Sequence, residues 1–141
     1  MTNGSLAKAY LQKATARVDV LELLCGKQAW SDVVRESQEI VELALKGMLR
    51  YVGVEPPKWH DVGGLLLEHA DRFPGETTER LARMADISKR LRKERELSFY
   101  GDIDFIPTEE YSEEVARTFA SEATFVVQRA TALMARADAT P

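Results

Sequence analysis

Only one cysteine, Cys25, and two histidines, His60 and His69, occur in 141 residues. One thiol forms no internal disulfide, so nothing calls for an oxidising compartment, and Cys25 is expected to pack as a small buried hydrophobe in a reduced cytoplasm. The histidines and the cysteine have no metal-ligand spacing, and Gly63-Gly64 is too short for a phosphate-cradling loop and follows no strand. No metal and no dinucleotide cofactor is therefore expected. The N-terminal MTNGSLAKAY lacks an apolar run of signal-peptide length, and no run elsewhere reaches the length of a membrane span. The expectation is a soluble cytoplasmic protein with no membrane contact. Alternation with period two is almost absent, which argues against strands. A net charge of -4 excludes a globally basic nucleic-acid surface but leaves room for a local basic patch.

What is present is helical periodicity. At 45% apolar composition the chain can bury one sizeable core, and its breaks are short turn sequences rather than linkers, so residues 1–141 are read as a single domain with frayed ends at 1–4 and 136–141. A first helix is expected over residues 5–25, with Ala7, Leu11, Ala14, Val18, Leu21 and Cys25 as its seam and Gly26 closing it in the left-handed conformation. A second, 31–52, begins with Ser31 and Asp32, carries Val34, Ser37, Val41, Ala44, Met48 and Tyr51 on one line, and ends at Gly53. The prolines of GVEPPKWHD force a loop. A short third helix starts near His60 or Asp61, a fourth runs from about Thr77 to Tyr100, and a fifth starts near Ser112 with Val115, Phe119, Ala123, Val126, Ala130 and Leu133 inward and a frayed tail from Ala135. The fold class is all-α: a five-helix up-and-down bundle of four long helices and one short crossing helix.

The fourth helix changes character along its length. Leu81, Ser88 and Arg95 are seven apart, as are Met84, Leu91 and Ser98, so a single stripe begins apolar and ends polar. An arginine there meets a carboxylate or lines a wet groove, because its charge cannot be shed. Ser37, flanked by Glu36 and Glu39, stands in the matching stripe of the second helix and would reach that groove if the two helices pack side by side. A plainer reading stays open: Lys89, Arg90, Arg92, Lys93 and Arg95 lie toward the negative end of the helix dipole, diluted by Glu94 and Glu96, as a solvated helix end. Tyr100 before Gly101 is equally an ordinary aromatic over the bundle end. His60 at a helix start suits closure of the proline loop, His69 the surface or a core edge, and Glu42 with Lys46 an exposed pair one turn apart.

The stretches "AYLQKATARVDVLELL", "SDVVRESQEIVELALKGMLRYVGVEPPKWHDVGGLLLE" and "ISKRLRKERELSFYGDIDFIPTEEYSEEVARTFASEATFVV" together resemble a HEPN domain, a five-helix module named for nucleotide binding in higher eukaryotes and prokaryotes. The middle phrase carries most of the likeness: an acidic, apolar helix ending in Lys46-x-x-Leu49, then glycine, prolines and a His-Asp start. Many HEPN proteins are metal-independent ribonucleases, frequently the toxin half of a toxin-antitoxin module whose other half is a minimal nucleotidyltransferase. Their motif is an arginine followed after four to six residues by a histidine, often with a tyrosine two residues later. Here Arg92 takes the arginine position and Tyr100 the tyrosine, whereas Ser98 stands where the histidine belongs. A histidine moves protons near neutral pH and a serine hydroxyl does not, so Ser98 does not replace its chemistry.

The resemblance implies a homodimer whose two fourth-helix ends form one composite groove, a nucleotidyltransferase partner, and Tyr100 as an acceptor for adenylylation. RNA or a nucleotide would be held by Arg92 or Arg95 as charged donors, Ser37 and Ser98 as hydroxyl donors and Tyr100 as a stacking edge, with Glu39, His60 and Asp102 at the margin. Three functions follow from different classes. The first is a HEPN module that binds RNA or nucleotide; the second is an active metal-independent ribonuclease using another proton carrier such as His60; the third is a non-catalytic homodimeric assembly module.

Overall fold

A computed structural model describes the backbone of residues 3–56, 58, 62–100 and 111–138, with the side chains of these residues except 95–100 and 136–138. In chain order the elements are α1 (Asn3–Gly26), α2 (Trp30–Tyr51), the short α3 (Val62–Glu68), a 3-10 turn (Ala70–Arg72), α4 (Thr78–Tyr100) and α5 (Glu113–Asp138). The fold is an all-α bundle, and no strand occurs among the described residues. None of the helices among them is long and apolar enough to cross a membrane.

The helix ends follow local chemistry, not always at the expected residue. The first helix ends two residues later than a Gly26 cap would place it. Gln28 is the left-handed residue, at φ 57; its N–H donates to Cys25 O at 3.0 Å and that of Ala29 to Leu24 O at 3.0 Å. This is the paired closure of a helix by a left-handed residue. Gly53, at φ 84, does the same for α2, with Gly53 N donating to Arg50 O and Val54 N to Leu49 O. The start of α2 also departs from expectation. Ala29 occupies the cap position without a side-chain bond, having no group to offer one, and Ser31 is buried in the first turn. Later starts are capped by side chains: Thr77 Oγ1 accepts from Arg80 N at 3.1 Å and Ser112 Oγ from Val115 N at 3.1 Å.

α2 is the central element, packed against α1, α3, α4 and α5. Twelve of its residues are buried, including Val33, Ile40, Val41, Ala44, Leu45, Met48 and Leu49. α1 packs on α2 and α5, while α4 meets α2, α3 and α5. The seven-residue stripe of α4 is buried as expected at Leu81, Met84, Ser88 and Leu91. Two expected core positions are not buried. Val115 is 44% exposed, since Ala116 takes the inward position one residue later, and Cys25 is half-buried at the rim between α1 and α5. The third helix is described from Val62, so its expected start at His60 or Asp61 lies outside the described residues, and His69 through Phe73 form the 3-10 turn and its caps rather than more helix. The backbone of the last helix is helical to Asp138, past Ala135.

Two contacts fasten α4. Glu76, just before it and almost fully buried, accepts from Arg129 of α5 at 2.7 Å. Gly63 of α3 crosses α4 so closely that a Cβ there would lie 2.9 Å from Ala85 Cα and 3.1 Å from Ser88 Cβ. Only glycine permits that approach.

Candidate functional site

The basic run of α4 divides by helical geometry into groups with different partners. Arg90 turns toward α5: its Nε donates to Asp86 at 2.8 Å and its NH1 to Glu122 at 3.0 Å, and the guanidinium sits 5.7 Å from the Phe119 ring centre. The hydrogen bond it donates to Glu122, ahead of that to Asp86, holds its pKa above the ordinary arginine value. A folded pKa above the unfolded one adds stability below the unfolded pKa and loses it only at still higher pH. Arg90 therefore gives no stability change across neutral pH. Lys89 and Lys93 are exposed, as a solvated helix end requires.

Arg92 faces the other way, toward α2 and α3. With Gln38, Val41, Glu42, Val62, Ser88 and Leu91 it lines a cleft of about 10 Å³, room for a water molecule and too small for a phosphate. Gln38 is 3% exposed; its Nε2 donates to Glu42 Oε2 at 3.0 Å, while its Oε1 is buried with no hydrogen-bond partner among the described residues. The Glu42 carboxylate also meets Lys46 Nζ at 3.1 Å. Both side chains of that pair are only about a quarter exposed (28% for Glu42, 25% for Lys46), so the pair expected on the open surface is partly buried and tied into the cleft. Tyr111, buried just ahead of α5, donates its hydroxyl to Glu94 Oε2 at 2.8 Å and so secures the next turn of α4.

The expected site residues fall in three groups. Arg92, one position past the buried Leu91 of the α4 stripe, is half-buried and lines the cleft with Gln38, Val41 and Glu42 of α2. Ser37 and Glu39, placed beside the same groove from sequence, lie away from the cleft. Ser37 is fully buried and its Oγ donates to Val33 O at 2.8 Å, a bond to its own preceding turn. Glu39 opens onto the groove between α1 and α2 with Arg17 and Asp32. The physical reason is rotation: successive helical residues point about 100° apart, so the α2 positions facing Arg92 are Gln38 and Glu42. The side chains of Arg95, Ser98 and Tyr100, and the whole of His60 and Asp102, lie outside the described residues.

Gln38, Glu42 and Ser88 were thus missed as site residues. Their signal was available: a glutamine four residues before a glutamate on an otherwise apolar helix face, opposite a serine in an apolar stripe. The arrangement puts the Arg92 guanidinium at a cleft edged by the Glu42 carboxylate and the Gln38 amide, and a guanidinium is a donor suited to meeting an anion. Among the described residues, no three His, Cys, Asp or Glu side chains form a metal-binding group.

Comparison with curated proteins gives no match, and comparison with solved structures gives none. A family model described as the HEPN domain does match, over residues 7–133. That span runs from the first turns of α1 to near the end of α5 and takes in every residue of the Arg92 cleft, in a bundle of the helical class the family requires, so the chain belongs to the HEPN family.

Proposed function

We propose that this HEPN protein binds a phosphate of RNA or of a nucleotide at the polar end of α4, as the HEPN half of a toxin-antitoxin-type module, without the cleavage activity found in many of its relatives. The observation that carries the reading is the placement of Arg92. It occupies the motif arginine position, lies half-buried against Gln38, Glu42 and Ser88, and is separated from the ion-paired Arg90 by the turn of the helix. A guanidinium at such an edge can meet a phosphate through paired N–H donors, which is the advantage of arginine at phosphate sites. The enclosed cleft is too small for the ligand, so the phosphate sits outside it, toward Arg95, Ser98 and Tyr100. A homodimer joining two α4 ends would double the positive charge there, and a minimal nucleotidyltransferase is the partner proposed, with Tyr100 as its target.

Loss of cleavage follows from chemistry at one position. Ribose-driven RNA cleavage needs a group that takes and returns protons near neutral pH, and Ser98 holds the place where the family motif has histidine.

One incubation tests binding and cleavage together. Labelled single-stranded RNA mixed with the full chain in the presence of a chelator is expected to be retained and recovered uncut. RNA that is neither retained nor cut defeats the proposal; RNA that is cut, with the cutting lost in Arg92→Ala, replaces it with the ribonuclease reading. Co-expression with a nucleotidyltransferase encoded beside this chain is expected to yield a complex or a mass addition on Tyr100, and neither would appear if the module assignment is mistaken.

A further inference from the structure

The first helix is apolar on two opposite sides. Ala7, Ala14 and Leu21, seven residues apart, are buried against the bundle. Ala9, Ala16 and Leu23, also seven apart and on the reverse face, are exposed. Leu23 is 58% exposed and Val20 beside it 38%. Exposed apolar residues in a row along a helix are normally covered by a neighbour, whereas the main contacts of α1 among the described residues are with α2 and α5, on its other side.

The outer face has relief that matches itself. Around Ala9 and Ala16 the surface leaves a hollow of about 550 Å³, walled by Leu6, Tyr10, Gln12 and Lys13. Leu23 projects from the same stripe two heptads beyond Ala9. Ala16 lies midway between them. When a second α1 runs antiparallel across a two-fold axis at Ala16, Leu23 of each copy enters the hollow at Ala9 of the other, and the two Ala16 methyls let the backbones approach. A two-fold interface demands this reciprocity, since each patch must complement its own copy.

Charge makes the same match. On the Val20 flank of α1, the groove between α1 and α2 has a volume of about 540 Å³ and is edged by Asp32, Glu36 and Glu39 against Arg17 and Arg35. Arg17 already pairs with Glu36 at 2.9 Å, and the carboxylates outnumber the guanidiniums. Lys13 lies on the same flank, three residues before Ala16. The two-fold axis carries it to the level three residues after Ala16 on the other copy, above this acidic groove.

We propose that the outer face of α1 is a homotypic interface, occupied by α1 of a second copy in antiparallel register about Ala16. It is separate from the α4 end, which lies across α2 from it. It stands whether or not two α4 ends also pair.

Cysteine cross-linking with light scattering tests it on the full chain. In a Cys25→Ser background, Ala16→Cys treated with a mild thiol oxidant is expected to form a covalent dimer, while Thr15→Cys, equally exposed but off the stripe, is not. Leu23→Glu is expected to lower the mass of the wild-type assembly at micromolar concentration while keeping its helical circular dichroism. Lys13→Glu is expected to weaken association about tenfold, and adding Glu39→Lys to restore it. The proposal is overturned by a wild-type monomer, by equal cross-linking at positions 15 and 16, or by a wild-type mass that Leu23→Glu leaves unchanged. An assembly split by Arg95→Glu but indifferent to Leu23→Glu also overturns it, and would assign the contact to the α4 ends instead.

Discussion

Arg90 and Arg92 are two positions apart on α4 and serve different ends. Arg90 is tied to Asp86 and Glu122 and fastens α4 to α5; Arg92 backs onto Gln38, Glu42 and Ser88. Another residue-scale feature is Glu76, whose buried carboxylate depends on Arg129. Arg129→Ala would leave that charge with only Arg80, 3.8 Å away, and is expected to destabilise the fold by about 2 kcal/mol in urea denaturation. The figure lies below that for a wholly buried pair because part of Arg129 is open to water. Gln28 offers the opposite sign. An L side chain at φ 57 is held in a strained conformation that glycine adopts freely, so Gln28→Gly is expected to stabilise by about 0.5–1 kcal/mol, seen as a higher thermal midpoint. The sequence pointed to Gly26 for this role because glycine is the usual choice; the actual turn lies where the short connection to α2 must reverse.

At the scale of the element, the seven-residue periodicity made the buried stripe of α4 legible, since Leu81, Met84, Ser88 and Leu91 need only one neighbour face to be inward. α2 was harder to read. It packs against four elements, so twelve of its residues are buried and periodicity does not say which of the inward positions meets α4; Ser37 and Gln38 are then equally plausible until the neighbours are in place. α1 presents the reverse difficulty, with two apolar stripes of equal spacing and nothing local to choose the inward one. The α3–α4 crossing was not legible at all, because a glycine required by close approach looks like a glycine in a turn. Gly63→Ala would press a methyl against the Ala85 backbone, which has no rotamer to yield. It is expected to cost about 1–3 kcal/mol in chemical denaturation and to displace Val62 from the wall beside Arg92.

For the whole molecule, the apolar positions specify a bundle with α2 at its centre, and the family match over residues 7–133 agrees with that class. Function is less legible than fold because it rests on a few polar replacements within an apolar pattern, and each of them, taken singly, also suits a solvated helix end. What separates the alternatives is burial. Lys89 is exposed whereas Arg92 is half-buried beside Gln38, Glu42 and Ser88, and the proposed anion is assigned to the second. The deciding measurement is a fluorescence anisotropy titration of labelled single-stranded RNA, at one low salt concentration, with wild type, Arg92→Ala and Lys89→Ala. The expected result is a loss of about 10- to 100-fold in affinity for Arg92→Ala, the range for hydrogen bonds to a charged group, with Lys89→Ala within a few-fold of wild type. Equal affinities for wild type and Arg92→Ala, or equal losses in the two variants, would contradict the account.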